Sequence, residues 1–274
     1  MLRRYRFPRA TLYALAFFSF SLASAATDYV SETRIQDGFA LVADGRAAPL
    51  FVSPEDHAGV RRVAKDLQTD IGRVTGVEPN LDETGAASGG AVVLIGTLGK
   101  SPLVDRLVAS GKLDASAVAG RWETFGIQTV EAPLPGVERA LAIFGSDKRG
   151  TIFGMYDLST RMGVSPWHWW ADAPVQKKRE LHVRPGFHTL GEPKVKYRGI
   201  FINDEAPALT NWAEETFGGF NSAFYEKVYE LILRSKANYL WPAMWVPAAF
   251  YEDDPENARL ADELGVVIAT THHE

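Results

Sequence analysis

Three stretches in the last third of the chain place polar and aromatic side chains directly after short apolar runs. They are Asn203-Asp204-Glu205 after Ile200-Phe201-Ile202, the aromatic stretch from Trp241 to Trp245, and His272-His273-Glu274. Carboxylates can serve as general acids and bases, imidazoles and amides bind polar substrates by hydrogen bonds, and indole rings present flat apolar faces to sugars. This combination of residue types indicates a carbohydrate site.

Two of these stretches also have a purely structural interpretation. Asn203, Asp204 and Glu205 fit an Asx-type turn that ends a strand and leaves Asp204 in solvent. Trp241 and Trp245 either form the floor of a sugar site or cap the core. The residue types alone leave these alternatives open.

The third stretch carries two adjacent histidines. Successive residues of a strand point to opposite sides, so only one of His272 and His273 can face a given site. A zinc site would need more ligands at better spacing, so we expect hydrogen bonding to a polar substrate and no metal. The candidate substrate-binding residues are therefore Asn203, Glu205, Trp241, Trp245, His272 and His273.

Short strands alternating with helices must position these residues. The pattern predicts strands at Val195–Ile202, Asn238–Met244 and Val266–Thr271, and helices at Asn221–Lys236 and Glu256–Leu264. Asn221 is the predicted N-cap of the first helix, and Gly265 ends the second. Two successive βα units open a parallel sheet or a barrel, whose active sites form at the carboxyl edge of the strands. All three stretches are therefore predicted to meet at one edge.

The connection at 206–219 is a second source of candidate residues. It is 14 residues long and carries Asn211, Trp212, Glu214 and Glu215. Loops of this length are uncommon unless they bind something. The length of this loop therefore indicates a role in binding.

Residues 26–190 are predicted to form a separate N-terminal α/β domain. A helix is expected from an N-cap at Ser53 to a C-cap at Gly76. Further elements are strands at Ala91–Ile95, Phe125–Val130 and Ala140–Gly145 and a helix at Gly150–Met162. Glycines and prolines between 183 and 193 indicate a linker, so the domain boundary is placed near residue 190.

The first 25 residues are predicted to be a signal peptide. Four arginines precede an apolar run from Leu12 to Leu22 and the small-residue sequence Ala23-Ser24-Ala25. That run is too short to span a membrane and fits a cleavable export signal, which predicts a secreted or periplasmic protein. Cleavage would leave 25 Lys and Arg against 34 Asp and Glu, a formal charge of −9. This balance argues against nucleic acid as a partner, and no membrane contact is expected after cleavage.

Other features of composition and sequence carry less information about function. The chain has no cysteine, so packing rather than disulfides must stabilise it. Gly99-Lys100-Ser101 lacks the earlier glycine of a phosphate-binding loop and reads as a surface turn. Trp167, Trp169 and Trp170 either contact sugar or pack two layers together, and packing is favoured because aromatic rings bury large areas.

Two long segments closely resemble glycoside hydrolase family 115, the xylan α-1,2-glucuronidases. They are KYRGIFINDEAPALTNWAEETFGGFNSAFYEKVYELILRSKANYLWPAMW and FYEDDPENARLADELGVVIATTHHE. A third segment, GSDKRGTIFGMYDLSTRMGVSPWHWWADAP, resembles the end of the family's N-terminal domain. The resemblance implies an N-terminal α/β domain, a (β/α)₈ TIM barrel, and further helical and β-rich domains. Residues 191–274 would then be the start of an incomplete, truncated barrel.

The resemblance also implies an activity. The family hydrolyses the α-1,2 bond between glucuronic acid, or its 4-O-methyl ether, and xylan, with inversion. The implied partner is glucuronoxylan or its oligosaccharides, no cofactor is expected, and a homodimer of the full-length form stays open. By position, Asn203 and His273 match substrate-binding residues, while Asp204 and Glu214 are the candidate catalytic carboxylates.

The family's general acid and base are expected on later barrel strands that follow residue 274. This chain alone would then be inactive, as a fragment of an α-glucuronidase that takes part in xylan degradation. The alternative is a catalytically inactive carbohydrate-binding protein.

Overall fold

A computed structural model describes residues 28–84, 89–202, 206–243 and 248–270 of the 274-residue chain. The predicted signal peptide, residues 1–25, lies outside the described residues. The described strands are β1 (Val30–Ser31), β2 (Phe39–Ala43), β3 (Arg46–Ala47), β4 (Leu50–Val52), β5 (Leu81–Asp82), β6 (Gly89–Thr97), β7 (Phe125–Leu134), β8 (Val137–Gly145), β9 (Leu181–Val183), β10 (Phe187–His188), β11 (Gly199–Phe201), β12 (Tyr239–Trp241) and β13 (Val267–Ile268). The described helices are α1 (Ala58–Thr75), α2 (Pro102–Ala109), α3 (Lys148–Met162), α4 (Ala208–Phe217), α5 (Ser222–Arg234), α6 (Phe250–Asp253) and α7 (Glu256–Leu264).

A six-stranded sheet forms the centre of the N-terminal region. Its strand order is β10-β7-β8-β6-β4-β5, with β5, β4, β6 and β8 mutually parallel and β7 and β10 antiparallel to their neighbours. The run Val92–Ile95 of β6 is fully buried because helices cover both faces. Val92 and Leu94 pack in the cluster that includes α2, while Val93 and Ile95 pack in the cluster that includes α1 and α3.

The predicted strands and helices of this region are present; several extend a few residues beyond their predicted bounds, and the start of one helix is wrong. The first helix begins at Ala58 instead of directly after Ser53. Ser53 closes a turn, in which its carbonyl accepts the Asp56 N–H at 3.1 Å and its Oγ accepts the Glu55 N–H at 3.2 Å. The Asp56 carboxylate accepts the backbone N–H of Thr97 at 2.7 Å, which ties the turn to the end of β6. The helix ends as predicted at Gly76, whose φ of 77° suits glycine.

A small four-stranded sheet, ordered β1-β9-β2-β3, packs beside the larger one. Its neighbour pairs are antiparallel. The predicted linker at 183–193 is not wholly irregular, since β10 lies within it and pairs with β7. Two residues of the linker therefore extend the large sheet.

Three parallel strands, β11, β12 and β13, form the sheet of the C-terminal region, in that order. The strand-helix-strand-helix-strand prediction is confirmed, although each strand is shorter than predicted. The Asn221 side chain caps α5 and accepts the N–H groups of Ala223 and Phe224. The predicted bounds of α7 match, and Gly265 ends it with a φ of 80°. The described part of the chain contains no closed barrel.

The predicted loop at 206–219 is wrong. Most of it is the helix α4, which ends at Gly218 in the left-handed conformation. Trp212 on this helix packs against Trp170 and Trp169, with ring centroids 5.7 and 6.2 Å apart. Aromatic packing therefore stabilises a helix whose flanking Pro207 and paired glycines suggest a loop.

Helices join the two regions into one continuous core. α5 packs on α3 and α7 packs on α1, so a double layer of helices separates the large sheet from the three-stranded one. The α1–α7 contact is close at Gly59, where an added Cβ would lie 2.2 Å from the Glu263 carbonyl oxygen. Among the described residues, no helix has the length and apolar character needed to cross a membrane.

Candidate functional site

The candidate site lies at the carboxyl edge of the three-stranded sheet. β11, β12 and β13 run parallel, so their last residues, Phe201, Trp241 and Ile268, lie at one edge. The sequence therefore predicted correctly that the three stretches follow strands of one parallel sheet. Six predicted residues lie outside the described residues: Asn203, Asp204, Glu205, Trp245, His272 and His273. The described candidates are Glu214 and Trp241.

Trp241 is the last residue of β12, and its described contacts stabilise the sheet. Its carbonyl accepts the Ile202 N–H at 2.8 Å, and its half-buried ring lies 4.5 Å from the ring of Phe201. Phe201 is 48% exposed. The two rings give this end of the sheet an apolar surface that a sugar face can cover.

A cavity of about 310 Å³ lies beside this edge. It is formed by the end of α4, the start of α5 and the segment around α6, which all follow the carboxyl ends of β11 and β12. Its described lining residues are Thr210, Glu214, Gly218, Gly219, Phe220, Asn221, Ala248 and Asp253. Glu214 is the one predicted site residue among them.

The turn between α4 and α5 fixes one wall of this cavity. Gly218 and Gly219 have φ angles of 77° and 120°, which L side chains rarely adopt. A Cβ at Gly219 would lie 3.3 Å from Glu214 Oε2. Asn221 then joins the helices, because its Nδ2 donates to the Phe217 carbonyl at 2.7 Å while its Oδ1 caps α5.

Asp253, after β12, lines the cavity and Asp254 follows it, and the sequence reasoning missed both. Asp253 Oδ2 accepts the Ala249 N–H at 2.8 Å and the side chain lines the cavity. Asp254 accepts the N–H groups of Ser222 and Glu256, each at 2.9 Å, and these bonds lower its pKa. The acidic run before Pro255 is the signal that could have identified them.

The chemistry of the cavity suits a neutral polar ligand. The carboxylates of Glu214 and Asp253 are hydrogen-bond acceptors, and Phe220 adds an aromatic side chain. No Lys, Arg or His is among the described lining residues. Sugar hydroxyls can donate to such carboxylates, whereas a ligand carboxylate there would meet like charge. The described residues also contain no cluster of metal-binding side chains.

The tryptophan stretch before the predicted boundary packs against α4 and α5. Trp170 Nε1 donates to the Lys227 carbonyl at 3.1 Å, and its ring lies 6.2 Å from that of Phe224. Together with the contacts to Trp212, this confirms the predicted packing role for Trp169 and Trp170, whereas Trp167 is 52% exposed. The cluster holds α4, and with it Glu214, against the N-terminal region.

Comparison with known proteins identifies relatives of this architecture. Residues 190–274 match the model of Glycosyl hydrolase family 115. A solved family GH115 4-O-methyl-alpha-glucuronidase, BtGH115A, is 29% identical, with a TM-score of 0.72 over 85% of this chain. The resemblance to glycoside hydrolase family 115 is confirmed. That glucuronidase is described as specific for decorated arabinogalactans, and this chain covers 30% of its length.

Similarity beyond family 115 is weaker. A mutant Streptomyces plicatus beta-hexosaminidase in complex with product is 13% identical, covering 85% of this chain and 42% of its own, with a TM-score of 0.48. A GH20 beta-N-acetylhexosaminidase from Streptomyces coelicolor is 12% identical with the same TM-score and the same two coverages. A comparison with curated proteins gave no match.

Proposed function

We propose that this chain is part of a glycoside hydrolase that releases glucuronic acid, or its 4-O-methyl ether, from a polysaccharide. The bond cleaved is the α-1,2 linkage to xylose in glucuronoxylan, broken with inversion by a general acid and an activated water. One observation carries the proposal. The residues that match the family 115 model are those that form the parallel sheet and the cavity at its carboxyl edge.

The three-stranded sheet is proposed to be the start of a (β/α)₈ barrel. Ile200 and Phe201 of β11 are 44% and 48% exposed, and among the described strands β11 pairs only with β12. An exposed apolar edge strand is an aggregation hazard that native proteins cover. Further strands of a longer polypeptide would cover it. The same extension would supply the general acid and base.

The cavity is proposed to bind the hydroxyl-bearing part of the substrate. Glu214 and Asp253 would accept hydrogen bonds from neutral sugar hydroxyls, and their charge would keep the uronate carboxylate away. The uronate then lies toward the carboxyl ends of the strands. Asn203 and His273 are proposed to bind it there, with Asp204 as an acidic pocket residue. Export through the predicted signal peptide would bring the protein to its polysaccharide.

Binding of defined oligosaccharides tests this proposal. The ligands are xylotriose carrying 4-O-methylglucuronate, a similarly decorated galactan oligosaccharide, and unsubstituted xylotriose, titrated by calorimetry into the 274-residue chain. We expect binding of the decorated xylotriose only. Preference for the decorated galactan would show that the polysaccharide backbone is galactan instead of xylan. Equal binding of unsubstituted xylotriose would show that glucuronate plays no part in recognition.

Glu214→Gln tests the cavity, with Glu215→Gln as its matched control. Glu215 is the next residue of α4, equally acidic and exposed, and it is not among the described lining residues. We expect Glu214→Gln to weaken binding about tenfold, the loss of one charged hydrogen bond, and Glu215→Gln to leave it unchanged. If the two substitutions weaken binding equally, the cavity is not part of the ligand-binding site.

Uronic acid release separates hydrolysis from binding. We expect the complete gene product to release uronic acid from decorated xylotriose and the 274-residue chain to bind without hydrolysing it. In the complete product, Asp204→Asn should lower kcat/KM at least about tenfold. Binding without release by the complete product would identify a carbohydrate-binding protein instead.

A further inference from the structure

One buried carboxylate bonds the residues that precede two of the three parallel strands and reaches the third strand through an arginine. Glu123 lies between α2 and β7 in the N-terminal region and is 1% exposed. Its Oε2 accepts from Arg198 Nη2 at 2.5 Å, and its Oε1 accepts from Asn238 Nδ2 at 2.6 Å and from Arg149 Nε. Arg198 directly precedes β11 and Asn238 directly precedes β12.

The third strand is tied to the same carboxylate through Arg149. While its Nε donates to Glu123, Arg149 Nη1 donates to the carbonyl of Gly265 at 2.8 Å, two residues before β13. The guanidinium also lies 4.8 Å from the ring centre of Trp122. The planar guanidinium of Arg149 therefore bridges Glu123 and the start of the third strand by hydrogen bonds.

Backbone hydrogen bonds carry this arrangement into the sheet. Asn238 Oδ1 accepts the Arg198 N–H at 2.9 Å, the Arg198 carbonyl accepts the Asn238 N–H at 2.8 Å, and the Asn238 carbonyl accepts the Val267 N–H at 2.8 Å. These bonds set the first rung of the ladder in which Gly199, Tyr239 and Val267 lie side by side.

The backbone of Glu123 shows that its position is tightly determined. Its φ is 47°, in the left-handed region that is unfavourable for residues other than glycine. Such a conformation persists where the surroundings over-determine it. Here its N–H donates to Asp147 Oδ2 at 2.8 Å while both carboxylate oxygens are occupied.

Because the three strands are short, their register depends strongly on the first pair of residues in each ladder. β11 and β12 have three residues each, about 10 Å from end to end, and β13 has two. A slip of one residue would move every side chain of a strand to the opposite face. Three-residue strands have few bonds to resist that slip, so the contacts at the amino ends control the arrangement at the carboxyl ends.

We propose that Glu123 is a positioning residue for the candidate site, because it fixes the mutual register of the three strands whose carboxyl ends carry that site. The proposal rests on the proposed function only in naming that edge as the substrate site. Glu123 does not touch substrate, since it lies at the other end of the strands.

Amide signals at the carboxyl ends test the proposal without any ligand. The Ile202 N–H donates to the Trp241 carbonyl and the Ala269 N–H to the Leu240 carbonyl, so they report the pairing of β11 with β12 and of β12 with β13. In Glu123→Gln we expect both amides of the 274-residue chain to change chemical shift in ¹H–¹⁵N spectra and to exchange with deuterium at least about tenfold faster.

A matched control and a second variant keep the test decisive. Glu131→Gln removes another glutamate that pairs with an arginine, but Glu131 lies on β7 with a side chain 67% exposed, so both amides should keep their shifts. Arg149→Lys keeps the charge but replaces the two nitrogens that separately reach Glu123 and the Gly265 carbonyl with a single ammonium group. It should therefore disturb Ala269 more than Ile202, and it replaces Glu123→Gln if that variant fails to fold.

The outcomes separate positioning from stability and from the proposed function. A merely structural role would lower Tm while both amides keep their native shifts and exchange rates, and that result would overturn the proposal. If both amides change, the proposal stands even when the wild-type chain binds no decorated xylotriose, which would overturn the function alone. If the wild type does bind, Glu123→Gln should weaken binding several-fold while Glu131→Gln does not.

Discussion

Arg234 offers the sharpest test of how the two regions are held together. It lies at the end of α5 with a side chain 3% exposed, and its Nη1 donates to Asp70 Oδ2 on α1 at 2.7 Å. Its Nε donates to Glu230 at 2.8 Å, and its guanidinium lies 4.5 Å from the ring centre of Tyr156 on α3. Burial opposes its charge, but Tyr156, Asp70 and Glu230 raise its pKa, so it stays cationic.

Removing this charge should destabilise the protein strongly. Arg234→Met keeps much of the apolar stem but leaves Asp70, whose side chain is fully buried, with Arg73 as its remaining ion-pair partner. Breaking a buried ion pair costs about 3–5 kcal/mol. Because Arg73 remains at 2.5 Å, we expect the lower end, about 3 kcal/mol of unfolding free energy.

Urea unfolding followed by circular dichroism measures this loss, with Arg259→Met as the control. Arg259 also bonds two glutamates, Glu256 and Glu263, but its side chain is 56% exposed. Its loss should have only a small effect, which shrinks in high salt, while the Arg234 effect should persist. The double variant Asp70→Asn/Arg234→Met should recover a large part of the loss, because no buried charge is then left unpaired.

A cost for Arg234→Met no greater than that for Arg259→Met would refute this reasoning. So would strictly additive single effects at Asp70 and Arg234, since contacting charges must couple. Either result would mean that apolar packing alone joins α5 to α1.

Two further predictions concern the same layer of helices. Burial and the nearby Glu230 raise the pKa of Asp66 to about 6. A raised pKa means that the folded state holds the proton longer, so this group's contribution to stability falls as pH rises from about 4 to about 6. Asp66→Asn should remove that fall, so urea unfolding at pH 4 and pH 7 should show a gain over wild type of about 2 kcal/mol at pH 7 only; an equal difference at both pH values would contradict the assignment. Gly59→Ala should lower the unfolding free energy by about 1–3 kcal/mol, because the added Cβ meets the Glu263 carbonyl oxygen at 2.2 Å. Gly45→Ala meets no atom and controls for overpacking, although its φ of 70° adds a backbone cost of its own, so only a larger loss at Gly59 supports the close contact.

Local signals in the sequence predicted several elements well. Asn221 caps α5 and Gly265 ends α7 because a side-chain oxygen and a left-handed glycine satisfy helix ends without help from distant residues. The order of the C-terminal elements followed from the same signals. The parallel sheet, and the edge at which the candidate site lies, were therefore predictable.

Tertiary contacts decided what the sequence did not reveal. The helix α4 is held by aromatic partners from 165–170, some 40 residues earlier, so its flanking proline and glycines dominated the local pattern. A distant contact also explains the wrong helix start at Ser53. The hydrogen bond from the Thr97 N–H to Asp56 holds residues 53–56 in a turn, so α1 begins only at Ala58. No local sequence pattern pointed to the role of Glu123, because its partners Arg198 and Asn238 lie 75 and 115 residues away along the chain.

These contacts divide the roles of the two regions. The N-terminal region holds the three-stranded sheet at its amino ends through Glu123, and it holds α4 and α5 beside that sheet through Trp170. Neither contact covers the carboxyl edge, where Trp241 ends β12 and where Glu214 and Asp253 line the neighbouring cavity. Substitutions at the amino ends should therefore change stability and register together, whereas substitutions lining the cavity should change ligand binding at nearly constant stability. This difference follows from the direction of the strands, and it holds whichever polysaccharide the site accepts.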